Sequence, residues 1–287
     1  MLAAKFSFAH PVHHTPLIRE KGGFRCQKRG DYFPDEHGLP SFLPSILRSI
    51  LAEEHSDFVN KVKTFLRRSP TLYRILTILI SPVCFTGLTG KKFTQSFPPD
   101  AVLLNIGSGV HRYRDTMVNL DVYPYEGVDI LADASALPFP DGTFDGVLCE
   151  ALLEHVRDPQ AVIREMLRVL KVGGRALSSV PFVYPFHACP NDFYRWSVSG
   201  AKELWKEADI VSIELRAGPT SALVAQLVTF FAIVFSFGST SLYNFLSMIL
   251  LPLFAPLKFL DYLLVKLPTA LHGAEGFSIV VRKPVVR

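Results

Sequence analysis

Val102-Leu-Leu-Asn-Ile-Gly-Ser-Gly109 is the stretch that decides the fold. A short apolar run ending in two glycines one residue apart reads as a buried parallel strand running into a tight turn. Glycine there admits positive φ and lets a ligand come close to the backbone. In an open α/β sheet, ligands bind outside the carboxyl ends of the strands, so this turn is a natural site. A dinucleotide fingerprint needs a third glycine, and Gly107-Ser-Gly-Val-His-Arg112 has Arg112 in its place, which argues against a nicotinamide or flavin enzyme.

Working outward, 287 residues suffice for one α/β domain with additions. A net charge of +4 is too mild to suggest nucleic acid. Phe is abundant, with 23 residues, and the mean hydropathy of +0.26 is high for a plain soluble enzyme. Cysteines 26, 84, 149 and 189 show no paired spacing, which suits a reducing compartment on the cytoplasmic side. Residues 1–14 hold one Lys and no sustained apolar core, so no secretory signal is expected.

From Pro98 to Val180 apolar strands and loops alternate. Val102–Ile106 is followed by Val118-Asn-Leu-Asp121, a third strand over Val128–Ala134, and Phe144–Glu150. Asp158-Pro159 opens a helix as N-cap and first-turn proline, and Gly173-Gly174 is expected to end it. Arg175–Val180, Ile210–Leu215 and Phe277–Val281 complete the pattern of an α/β fold with a doubly wound, mostly parallel, seven-stranded sheet.

Upstream, Ser56 to Ser81 reads as helical, broken at Pro70, with five basic residues and no acid between Lys61 and Arg74. Two readings stay open there: a basic helix on an anionic membrane surface, or a solvated helix at the domain edge.

Three further motifs, Leu137-Pro-Phe139, Leu153-Glu-His-Val156 and Arg168-Val-Leu-Lys-Val-Gly-Gly174, follow the glycine turn in order. With it they resemble the class I S-adenosylmethionine-dependent methyltransferases, type 11-like, over about residues 98–215 and a last strand near 276–283. Cys26 to Pro40 resembles the second half of the zinc ribbons found at some methyltransferase N-termini. Arg29 replaces the second Cys, and no earlier Cys-x-x-Cys exists, so a remnant packing without metal is expected. The expected division is a zinc-ribbon-like remnant over 1–45, N-terminal helices over 46–97, a Rossmann-like methyltransferase domain over 98–216 and 272–287, and a hydrophobic insertion over 217–271.

The resemblance implies the cofactor S-adenosyl-L-methionine, with Gly107, Ser108 and Gly109 against its amino acid and ribose. It also implies Asp121 on the ribose hydroxyls, Asp133 and Ala134 at the adenine, and Glu150 and Ala151 beneath the methionine. Asn105 departs from the acid usual two residues before the first glycine. Twelve positions from Gly109 to Asp121 leave room for about one turn of the first helix, where about twenty are usual. His111, Arg112 and Tyr113 are then candidates to cover the missing wall.

An acceptor hydroxyl or amine needs a base. The loop after the fifth strand offers His187 as general base with Asp192 orienting it, and Tyr194, Arg195 and Trp196 as substrate contacts. His155 is the second choice for the base. Each of these also has a bland reading, that it simply shapes the loop.

From Ala217 to Leu257 there is no charged residue, and two apolar segments, Ala222–Phe237 and Leu242–Leu257, flank Gly238-Ser-Thr-Ser241. At about 24 Å of helix each they fall short of a ~30 Å hydrocarbon core, and Pro252 and Pro256 are expected to break the second. A re-entrant or surface-embedded hairpin fits better than two full spans, with a dimerisation lobe as the soluble alternative. The expectation is therefore a methyltransferase acting on a hydrophobic or membrane-associated small molecule (a lipid, quinone or lipid-linked sugar), touching membrane through 217–257 and 58–80. The alternative is an inactive, cofactor-binding membrane scaffold or partner subunit.

Overall fold

The computed structural model describes residues 6–45, 47–48, 81–188 and 191–285. The basic stretch read as helical over Ser56 to Ser81 lies outside the described residues except at Ser81. Near the N-terminus, β1 (Leu17–Glu20), β2 (Gly23–Cys26), β3 (Tyr32–Glu36) and β4 (Leu39–Pro40) pair antiparallel in sequence order. The rings of Phe8, Phe24 and Phe42 meet one another and Phe139 of the main domain at centroid distances of 4.9 to 5.8 Å. This small sheet therefore shares the main core. Both ring nitrogens of His10 are engaged: Nδ1 accepts from the backbone of Val12 and His13, and Nε2 faces Asp31 at 3.1 Å.

The main sheet comprises β5 (Leu103–Ile106), β6 (Val118–Asp121), β7 (Ile130–Leu131), β8 (Phe144–Glu150), β9 (Leu170–Pro181), β10 (Asp209–Ala217) and β11 (Gly276–Arg282). Its spatial order is β10-β11-β9-β8-β5-β6-β7, and only β11 runs antiparallel to its neighbours. This is the expected seven-stranded, mostly parallel, doubly wound sheet. The third strand is only two residues long, and its outer edge is covered where Phe42 N donates to Leu131 O at 2.7 Å.

One face of the sheet packs on α2 (Pro159–Val169) and α3 (Val198–Leu204), with Val162, Ile163, Met166 and Trp205 fully buried. Asp158 caps α2, accepting from Ala161 N, with Pro159 in the first turn, as the sequence indicates. The helix ends at Val169 rather than at Gly173-Gly174. Those glycines instead sit in an irregularity of β9, where the register against β8 shifts between Phe144 and Gly146. The other face is covered by Phe93 of α1 (Gly90–Gln95) and by Phe97.

The insertion forms a helical hairpin, α4 (Pro219–Ser236) and α5 (Thr240–Phe254), returning through a 3₁₀ turn over Ala255–Leu260 and α6 (Asp261–Leu264). Both helices are longer at their N-terminal ends than the apolar runs suggest. Pro219 occupies the first turn of α4, where it costs no hydrogen bond, and α5 continues past Pro252 to Phe254. No residue of α5 is buried. The base of the hairpin is closed by Asp261, which is fully buried and accepts from the backbone of Gly218, Thr220 and Ser221 and from the Ser221 hydroxyl. It thus caps α4 from 40 residues away. Asp261→Ala is expected to cost on the order of 3 kcal/mol, since several donors are left buried and unpaired. A lowered denaturation midpoint with new protease cleavage in 219–254 would show this.

Candidate active site

Strand β5 delivers the glycine turn to the carboxyl edge of the sheet. Gly107 and Gly109 both have positive φ, +65° and +53°. A Cβ on Gly107 would stand 3.1 Å from the Leu152 methyls, whereas one on Gly109 would point into open space. Between them the Ser108 hydroxyl is buried without a hydrogen-bond partner. An orphaned donor beside open space, where backbone comes to the surface, fits a polar ligand lying across the turn. Asp121 accepts from Gly109 N at 2.8 Å through one oxygen and from Tyr123 N at 3.0 Å through the other. It holds the turn shut.

Residues 107–117 contain no helix, so side chains must satisfy the loop that replaces it. Asn105 is the first of these. It is 3% exposed, and its Nδ2 donates to His111 O at 3.1 Å. Asn119 Nδ2 donates to His111 O and to Gly127 O. Asn105 is therefore needed as a donor, and the usual carboxylate would face the His111 carbonyl. Arg112 spends its guanidinium on Met117 O, Gly127 O and Asp129, away from any missing wall. His111 stacks on Tyr113, whose hydroxyl donates to Glu150 Oε2 at 2.8 Å.

Glu150 Oε1 accepts from Gly90 N, the first residue of α1. A Cβ at Gly90 would lie 2.4 Å from Glu150 Oε2, so only glycine lets this helix start reach the acid. Burial and the adjacent Glu150 push the Tyr113 hydroxyl far above its ordinary value. The next residue, Ala151, sits in the left-handed region at φ +50°. Such strain costs of order 1–3 kcal/mol and concentrates at ligand sites. Asp133 accepts from the backbone and hydroxyl of Ser135 through Oδ1, a turn that keeps Oδ2 outside those bonds, and Ala134 beside it is buried.

The loop after β9 is held by Arg195, which donates to the carbonyls of Tyr184, Pro185 and Tyr194 and pairs with Asp192. Trp196 is buried against Tyr194, and Tyr194 donates to Arg157 O. These three residues shape the loop rather than project from it. Asp192 stands 3.3 Å from His187 Nδ1, and its Oδ2 also accepts from His187 N. The Arg195 guanidinium holds the Asp192 carboxyl at about 2. Burial pulls His187 below its ordinary value, so the ring is neutral at pH 7. His155 packs edge-on against it at 5.0 Å.

The residue the sequence reading passed over is Glu154. It is fully buried on the 3₁₀ turn Leu153–His155, neither carboxylate oxygen has a hydrogen-bond partner, and Oε1 lies 3.9 Å from His187 Nε2. Burial raises its pKa. Its signal was present within Leu153-Glu-His-Val156, as an acid between two apolar residues that pack inward. Gly90 and Tyr113 carried no such signal.

Residues 105–178 match the family model described as a methyltransferase domain. This part of the chain is therefore a methyltransferase domain. Among curated relatives, it is 36% identical over 119 residues to the ubiquinone/menaquinone biosynthesis C-methyltransferase UbiE of Pasteurella multocida, covering 39% of this chain and 44% of that protein. It is 37% identical over 119 residues to UbiE of Saccharophagus degradans, covering 39% and 47%. The chain thus spans less than half the length of these relatives. A solved Haemonchus contortus phosphoethanolamine N-methyltransferase 2 aligns over 83% of this chain and 60% of its own at 15% identity, with a TM-score of 0.46. The glycine turn, the orphaned Ser108 hydroxyl and Asp121 suit the family's cofactor, which supplies an electrophilic methyl group when bound.

Asn105→Asp tests the account of the helix-free loop. It is expected to lose about 1–3 kcal/mol of stability and to weaken S-adenosylhomocysteine binding, read by thermal denaturation and calorimetry.

Proposed function

We propose that this protein transfers a methyl group from S-adenosylmethionine to a hydrophobic acceptor held at a membrane surface. The observation that carries the reading is where the hairpin leaves the sheet. Strand β10 ends and β11 begins at the same carboxyl edge as the glycine turn, and the hairpin lies between them. The segment returning from it is bonded directly to the start of the catalytic loop: Phe182 N donates to Glu275 O at 2.7 Å and Val183 N to Ala274 O at 3.2 Å. Exposed Phe230, Ile233, Phe237, Phe245, Met248 and Leu253 give the hairpin an apolar surface that water solvates poorly. Pro219–Ser236 and Thr240–Leu264 are long and apolar enough to cross a membrane by length and composition. With both ends fixed at one sheet edge, an in-plane or dipping hairpin is the simplest arrangement. Quinones, the chemistry named for the UbiE relatives, are one acceptor class such a surface would admit, beside lipids and lipid-linked sugars. A site on the cytoplasmic, reducing side accords with free Cys26, Cys84 and Cys149.

In this reading Gly107, Ser108, Gly109 and Asp121 grip the cofactor, with Asn105 bracing the turn. Asp133 and Ala134 meet the adenine, and Glu150 and Ala151 floor the methionine end. His187 removes the acceptor's proton through Nε2 while Asp192 orients the ring.

Labelled methyl transfer to a fractionated membrane extract tests the whole. Turnover that Asp121→Ala abolishes supports it, whereas cofactor binding with no turnover in any fraction would leave only a binding scaffold. His187→Ala should lower kcat by about 10²–10⁴-fold. Because burial depresses the His187 pKa, its basic form persists from alkaline pH down past 6.5. The rate should then be level above neutrality and fall only in acid, as the ring becomes protonated among Glu154, His155, Asp192 and Arg195. Flotation with anionic vesicles should be lost on replacing Phe230 and Met248 with Asp, with S-adenosylhomocysteine affinity retained.

A further inference from the structure

Glu154, His155 and His187 each offer one ligand atom, and these atoms lie within 4.8 Å of one another. His155 Nδ1 is 2.6 Å from Asn191 O, so it carries the proton and leaves Nε2 as an acceptor. His187 Nδ1 faces two acceptors, Pro185 O at 3.1 Å and the Asp192 carboxylate at 3.3 Å, against one donor, Arg195 Nη2 at 3.2 Å, a balance that favours the same tautomer. Two imidazole lone pairs and a buried, unpartnered carboxylate thus converge on one point with no donor between them. The surrounding charge leans the same way. Arg216, partly buried, stands 3.8 Å from Glu275 and also feels the charge of Glu154 and Glu150, while Arg195 is already paired with Asp192.

The spacing discriminates among occupants. A tetrahedral metal with bonds near 2.1 Å needs its ligands about 3.4 Å apart. An ammonium with N–H···X distances near 2.8 Å spreads its three acceptors to about 4.6 Å. Glu154 and His187 stand at 3.9 Å, already wider than a metal edge, within a group spanning up to 4.8 Å. A hydroxyl has one proton and would satisfy only one of the three acceptors. We propose that the acceptor is an amine, carried on an apolar tail and bound as its ammonium by Glu154, His155 and His187. This rests on the methyltransferase reading of the same site. The ammonium passes one proton to His187 Nε2. The nitrogen lone pair so freed forms the N–C bond as the donor's C–S bond breaks, with that bonding pair staying on sulfur. The proton on His187 then leaves to solvent.

The test uses the full-length protein in nanodiscs saturated with S-adenosylhomocysteine, titrated with octylamine, octanol and octylhydroquinone. Octylamine is expected to bind selectively, and Glu154→Gln to weaken it at least tenfold with S-adenosylhomocysteine affinity unchanged. His155→Leu, on a partly exposed position, should also weaken it. With labelled S-adenosylmethionine the product should be N-methyloctylamine by mass spectrometry. Equal binding or faster methylation of octanol or octylhydroquinone overturns the amine assignment while leaving the methyltransferase standing. So does a stoichiometric divalent ion in the purified protein that Glu154→Gln removes. Failure to bind S-adenosylhomocysteine at all would instead overturn the reading beneath it.

Discussion

The backbone between β5 and β6 has no helix to satisfy it, and the site depends on how that need is met. A first helix would pair its own peptide groups and direct its N-terminal amides at the ligand. Here Asn105 and Asn119 share the His111 carbonyl, Arg112 gathers two carbonyls and Asp129, and Asp121 takes the Gly109 amide. The turn is therefore set by side chains reaching in from the neighbouring strand and loops. This changes what Asp121 does. It is a structural clasp whatever ligand it meets, so its removal perturbs the shape of the turn as well as the ribose contact proposed for it.

A second constraint is the accumulation of acid at the carboxyl end of β8. Glu150 and Glu154 lie four residues apart and are treated oppositely. Glu150 is satisfied by the Gly90 amide and the Tyr113 hydroxyl, and it anchors α1 and the helix-free loop to the sheet. Glu154 is more deeply buried and has neither. A buried carboxylate without a partner costs several kcal/mol if ionised, which is why burial raises its pKa. A fold that meets every need of one acid and none of its neighbour's separates the brace from the group left for a ligand.

Much of this was legible in the sequence. Apolar strands bounded by glycine or acid, and the Asp158-Pro159 helix start, are local signals, and the sheet followed from them. What stayed hidden depends on distant partners. Asn105 reads as a weakened cofactor acid until the His111 carbonyl is seen beside it. Gly173-Gly174 reads as a helix stop, yet the preceding helix has already given way to strand pairing with β8. Pro252 reads as a breaker, but a proline removes only one amide near the end of a helix whose residues are all outside the core. Arg195 and Trp196, polar or aromatic residues in a site loop, turn out to be spent on holding that loop.

The hairpin and the loop after β9 are mechanically one unit, and this bears on how an amphiphilic acceptor would be met. Asp261 ties the root of α4 to the segment returning from α5, and two residues of the next stretch, Ala274 and Glu275, bond to Val183 and Phe182. Glu275 also lies beside Arg216, at 3.8 Å. A shift of the hairpin root would thus reach the His187 loop through backbone bonds rather than through pliable side chains. In the function proposed above, an apolar surface that met its substrate in a lipid layer would gain from this rigidity. The tail and the headgroup of one molecule can then be held at a fixed separation, which lets binding energy along the tail position the reacting atom.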